Sequence, residues 1–204
     1  MRPFLFIGLL ALSAPVAAEV VASGPHGFEV RSSVNLVVPV AQAYAAFSRP
    51  NSWWSDDHTY SGKAANMRLA LVPGGCFCEA IPEGGGVEHM RVAVIQPNER
   101  IVMTGSLGPV LFEAASGVMD VQFERVAGGS RVTMTYRAAG FANGNGDKLS
   151  APVDSVLAGG GQRRITLALR VRCGAGARVS STSRRTIRSS PCARPSEPRS
   201  SVVA

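Results

Sequence analysis

From residue 28 to residue 38 the chain alternates. Phe28, Val30, Val34, Leu36 and Val38 fall on one side, and Glu29, Arg31, Ser33 and Asn35 on the other. Period-two alternation predicts a half-buried strand. Pro39 then suits the first turn of a helix. Val40, Tyr44 and Phe47 recur at i, i+4 and i+7, one helical stripe, and Pro50 ends the helix soon after. Further strand-like runs follow at residues 67–72, 76–81, 87–96, 100–105, 117–125 and 130–139. Met119, Val121 and Phe123 oppose Asp120, Gln122 and Glu124, while Val132, Met134 and Tyr136 oppose Arg131, Thr133, Thr135 and Arg137. Turns at residues 73–75, 83–86, 97–99 and 127–129 separate the runs, and spacing this tight predicts an antiparallel meander. Residues 19–27 read as a lead-in. Ser150 is placed to cap a final helix with Pro152 in its first turn. Val153, Val156 and Leu157 start its apolar face, and Gly159-Gly160-Gly161 stops it, at a cost of roughly 3 kcal/mol relative to alanines.

The stretch between the first helix and the meander holds both tryptophans, Trp53 and Trp54, with Asp56, Asp57, His58 and Tyr60 close behind. Neighbouring side chains of a strand face opposite ways, so a helical turn or loop is expected, closing one end of a curved sheet. Residues 106–116 are a long connection with Gly108-Pro109, Leu111 and Phe112. They read as an ordinary connection or as a pocket lip.

The N-terminus opens with Met1-Arg2-Pro3, continues with an apolar run over residues 4–12 and reaches the small-residue site Val16-Ala17-Ala18. This is the pattern of a secretory signal peptide over residues 1–18; the run is far shorter than the roughly 20 residues of a membrane span. The expectation is a periplasmic or secreted protein without stable membrane insertion after signal removal.

The formal charge of +7 belongs to the C-terminus. Residues 1–158 hold 11 Lys and Arg against 13 Asp and Glu, a net −2; residues 159–204 hold 10 Arg against one Glu, a net +9. Because the folded part carries no basic footprint, nucleic acid is not an expected partner. Residues 159–204 read as a basic low-complexity tail of disorder-like composition. Cys76 and Cys78 share a face of a strand, so they read as two small buried side chains rather than a bridge. Cys173 and Cys192 lie in the tail.

The order of strand, helix, aromatic stretch, meander and final helix is that of an α+β helix-grip fold. Residues 38–47 with Trp53-Trp54, together with Gly74-Gly75-Cys76-Phe77-Cys78-Glu79, Val87-Glu88-His89-Met90-Arg91 and residues 152–157, resemble an exported branch of the START-like or SRPBCC superfamily. The resemblance covers residues 28–158, within a domain placed at residues 19–158. It implies a curved antiparallel sheet around a C-terminal helix, with an apolar cavity between them. The family's last helix is long, whereas this one breaks after Ala158. Either the helix is short and the tail is an addition, or residues beyond about 159 come from a shifted reading frame; Arg, Gly, Ala, Ser and Pro without Lys favour the second.

Fold does not give function. The leading expectation is an exported binding domain for a small hydrophobic or amphipathic ligand. The alternatives are a cyclase- or dehydrase-type enzyme using the same cavity and an interaction module of the stress-ATPase activator type, which export weighs against. Trp53, Trp54, Tyr60, Met103, Met134 and Tyr136 are the candidate ligand contacts, with Val92, Val94, Met119 and Val121 on the same inward faces. No firm catalytic set is present; His58, His89 and Asp57 are weak candidates for acid–base work. Cofactor and metal motifs are absent from the sequence, and none is expected to be needed. The Gly84-Gly85-Gly86 run lacks the following helix of a phosphate loop.

Overall fold

The computed structural model describes residues 17–158. Its strands are β1 (Ala17–Gly24), β2 (Gly27–Leu36), β3 (Met67–Leu69), β4 (Cys76–Ile81), β5 (Gly85–Gln96), β6 (Arg100–Gly105), β7 (Ser116–Val126) and β8 (Gly129–Ala139). They form one sheet in the order β1-β2-β8-β7-β6-β5-β4-β3. Every pairing is antiparallel. Helix α1 (Val40–Phe47) joins β2 to the Trp-Trp segment, and α2 (Gly146–Ser155) follows β8. The expected α+β helix-grip arrangement is present. Residues 1–16 of the expected signal peptide (1–18), and the expected tail at residues 159–204 with Cys173 and Cys192, lie outside the described residues.

The predicted alternation becomes rows of side chains across the sheet. Val30 pairs with Tyr136, Tyr136 with Met119, Met119 with Met103, and Met103 with Val92. All five are buried. A second row runs from Met134 through Val121 to Ile101. Helix α1 buries Ala43, Ala46 and Phe47 against β7 and β8, where Tyr44 and Phe47 meet the Phe123 ring edge-on at 5.2 and 5.8 Å. Burying a large apolar side chain stabilises by roughly 1.5–3 kcal/mol, so these rows and α1 hold the domain together.

Four expectations are corrected. Residues 17–24 form edge strand β1 rather than a lead-in; its Val20 and Val21 are exposed, so it carries no buried-face pattern. Val94 is 43% exposed, because β5 bulges between Val92 and Val94 and the inward phase is reset there. Helix α2 starts at Gly146, not Ser150, and Pro152 lies in its interior. Cys76 and Cys78 form a disulfide. They share a strand face, as expected, but their Cα atoms are 5.3 Å apart, inside the range that a bridge spans. The pairing of β4 with β5 is irregular at the same point.

Candidate functional site

The irregularity between β4 and β5 builds the site. Phe77 pairs with Met90 and Cys78 with Glu88, leaving His89 as the extra residue of a bulge. A bulge re-aims side chains. Here His89 and Met90, consecutive in sequence, are both buried, which regular alternation forbids. On β4, Phe77 and Glu79 share the inward face, and Glu79 is 1% exposed.

Buried charge needs partners, and Glu79 has three. Its carboxylate accepts hydrogen bonds from the Tyr60 amide at 3.0 Å, from the Ser61 amide, and from His89 Nε2 at 3.2 Å. Burial raises its pKa, but the bonds from Ser61, Tyr60 and His89 outweigh burial and hold it below the usual carboxylate range. Burial pushes the His89 imidazole down, against the opposing pull of Glu79. The ionised carboxylate has no proton to give, so Nε2 carries the proton that bridges the pair. The neutral ring therefore leaves Nδ1 as a bare acceptor. His89 is 4% exposed, and Nδ1 is buried without a hydrogen-bond partner.

Around this pair lies a cavity of about 370 Å³, within the range of small-molecule sites. Trp54, Asp57, His58, Thr59 and Tyr60 form one wall, and His89 comes from the sheet. Leu107, Gly108, Pro109 and Phe112 form the facing lip, while Pro152, Val153 and Val156 close it from the C-terminal helix. The lip is a 3-10 segment, Gly108–Glu113. Leu107 and Val110 anchor it in the core, while Phe112 stands 75% exposed. The two walls meet where Tyr60 Oη donates to the Gly108 carbonyl at 3.2 Å.

The Trp-Trp segment is rigid for a local reason. Trp53 follows the 3-10 turn Pro50–Ser52, and both indoles are buried. Trp53 Nε1 donates to the Phe47 carbonyl at 3.2 Å, and Trp54 Nε1 to the His58 carbonyl at 2.8 Å. The second bond fixes the turn Asp56–His58, which a bond from the Ala64 amide to Asp56 Oδ1 at 2.6 Å also holds. Rings then follow one another from core to surface: Phe47, Trp53, Trp54, Phe77, His89, Tyr60 and Phe112, with neighbouring centroids 5.3–6.5 Å apart.

Of the residues singled out in the sequence, Trp54, Tyr60, Asp57, His58 and His89 come together on the cavity. Trp53, Met103 and Met134 lie beneath it, around a separate apolar void of about 10 Å³; a void that small and apolar stays dry. Tyr136 is fully buried, and its hydroxyl accepts from the Leu107 amide and donates to the Gly105 carbonyl, both at 3.2 Å. It supports the root of the lip from below. Glu79 was not among the sequence candidates. Its signal was phase: two residues from Phe77 in a strand, it had to share that residue's buried face. Among the described residues, no group of three or more His, Cys, Asp or Glu gathers to hold a metal ion.

Solved structures of similar fold include an uncharacterised protein from Rhizobium leguminosarum, 19% identical, covering 78% of this chain and 99% of that one at a TM-score of 0.46. A protein from Rhodobacter sphaeroides is 17% identical, with 76% and 99% covered and a TM-score of 0.48. DynU16, a protein of the dynemicin biosynthetic locus, is 14% identical, with 70% and 47% covered and a TM-score of 0.46. No curated protein matches the chain. The family model for activator of Hsp90 ATPase homolog 1-like proteins matches residues 37–157, more than half of the chain, and the chain belongs to that family, within the SRPBCC or START-like superfamily.

Proposed function

We propose that the protein is an exported binding domain that holds a small, mainly apolar ligand in the cavity between the Trp54–Tyr60 wall, the 107–113 lip and α2. The observation that carries this reading is the cavity itself: about 370 Å³, walled by aromatic and aliphatic side chains, with a buried histidine in it. Such sites are mostly apolar with a few placed polar groups. The N-terminal pattern supports export. No helix among the described residues is long and apolar enough to cross a membrane.

Titration with a neutral, environment-sensitive apolar dye tests the binding reading. Saturable binding that changes tryptophan fluorescence is expected, and a folded Trp54→Ala variant should bind about 1–3 kcal/mol more weakly. Absence of saturable binding across apolar dyes, sterols and polyketides overturns it. Fractionation with N-terminal sequencing tests export: a periplasmic chain beginning at Glu19 is expected, and a cytosolic chain beginning at Met1 overturns it.

The second reading is a cyclase- or dehydrase-type enzyme. One observation favours it: His89 rests on an ionised carboxylate at 3.2 Å, the arrangement that orients a histidine base. The family takes its name from activation of the Hsp90 ATPase, but an exported chain would not meet a cytosolic chaperone.

A further inference from the structure

Deepening the binding reading, on which it rests, we infer that the cavity selects an apolar molecule carrying a neutral hydroxyl donor, a phenol or an alcohol, whose O–H is received by Nδ1 of His89. The inference follows from proton bookkeeping. Glu79 accepts from Tyr60 N, Ser61 N and His89 Nε2. With two amide protons already committed to it, the carboxylate stays ionised and the shared proton sits on Nε2. Nδ1 then offers a lone pair and no proton. It is buried, it lacks a partner in the protein, and its residue lines the cavity. An unsatisfied buried polar atom is costly, so a ligand that donates to it gains binding free energy that a purely apolar ligand does not.

The same charges act against anions. Glu79 stands directly behind His89, and Asp57 lies on the cavity wall. At His89 Nδ1 a ligand carboxylate would meet a lone pair backed by the Glu79 carboxylate, with no proton to receive; His58 on the wall is the other imidazole of the cavity. Tyr60 flanks His89. Its ring lies 5.8 Å from the His89 ring, it is half-exposed, and its hydroxyl is tied across the cavity by the bond to Gly108. Glu79 is held by the Tyr60 amide and not by its ring, so a movement of the ring leaves the Glu79–His89 pair intact.

Calorimetric titration of the full chain with three probes of one shape tests the inference: 1-naphthol, 1-methoxynaphthalene and 1-naphthoate. Naphthol is expected to bind about tenfold more tightly than the methyl ether, the scale of one buried hydrogen bond, with naphthoate weakest. In a His89→Phe variant that keeps its fold by circular dichroism, naphthol and the ether should bind within about twofold of each other, since the acceptor is gone. Equal binding of naphthol and ether by the unaltered protein overturns the hydroxyl inference and leaves the cavity reading standing. Binding of none of the three overturns the hydroxyl inference, and the cavity reading then stands or falls with the dye titration. Nitrogen-15 NMR of His89 gives a readout without any substitution: the proton is expected on Nε2, with a Nδ1 resonance that moves on adding naphthol and not on adding the ether. A proton found on Nδ1 overturns the inference whether or not the variant folds.

Discussion

Gly105 and His89 are fitted backbone to backbone. A Cβ on Gly105 would stand 2.6 Å from the His89 carbonyl oxygen and 2.8 Å from Met90 Cα, and Gly105 has φ +149°. The bulge that turns His89 inward is thus seated on a residue without a side chain. Gly105→Ala should destabilise the domain by about 2–4 kcal/mol, from a clash with backbone that cannot rotate away together with a strained φ. Urea unfolding measures it; a change below about 0.5 kcal/mol, the scale of a neutral surface substitution, would show that the bulge does not depend on this contact.

Glu79→Ala should cost about 3 kcal/mol or more, because it strands the Tyr60 and Ser61 amides and His89 Nε2 in a buried place. Amide hydrogen exchange should locate the damage. Protection at Tyr60 and Ser61 should fall first, while the β7–β8 pairing keeps its protection.

Acid should act in two steps. His89 has a folded pKa below its ordinary 6.5, since burial outweighs the pull of Glu79. The unfolded chain therefore binds more protons just below pH 6.5, and stability falls as pH drops from there through the folded pKa. Glu79 has a folded pKa below 4.5, so its contribution is present above that value and is lost as pH falls through the lower folded one. Glu79 on β4 and Tyr60 on the facing wall are the titratable groups against His89. Denaturation curves against pH should show the upper step in the unaltered protein and only the lower one in His89→Phe. An upper step that persists in the variant would assign it elsewhere.

Phe112 should matter for ligand and hardly at all for fold. It is largely exposed yet lines the cavity. Phe112→Ser should change stability by less than about 0.5 kcal/mol and weaken binding of the apolar dye. Unaltered dye affinity would remove the lip from the site.

The meander was legible because its strands pack one face on a core. Met119, Val121 and Phe123 could be assigned inward from alternation alone. Strand β1 was not legible, because Val20 and Val21 are adjacent and exposed. That omission carried into α2. Its first residue, Gly146, donates its amide to the Pro25 carbonyl at 3.0 Å, and a Cβ there would meet the Gly24 carbonyl oxygen at 2.6 Å. The helix thus starts where it touches the β1–β2 turn, a tertiary cause that local cap residues do not reveal. At the site, Trp54, Tyr60 and His58 stood out by residue type. The pairing of His89 with Glu79 depends on a one-residue bulge, which changes phase without any marker such as glycine or proline at the bulged position.

The Tyr60–Gly108 hydrogen bond has a consequence for time rather than for affinity. It joins the two walls of the cavity while leaving Trp54 and His89 untouched. A tie that must break for a molecule to pass in either direction slows arrival and departure alike, and one remade after passage leaves the equilibrium where it was. Affinity and residence time then rest on different residues. Tyr60→Phe, followed by stopped-flow mixing, should raise both rate constants by a similar factor with little change in their ratio; a change confined to departure would make the hydroxyl part of the ligand's own binding surface. Under the binding reading, a ligand's residence time would then be set at the rim of the cavity and its affinity at the wall beneath.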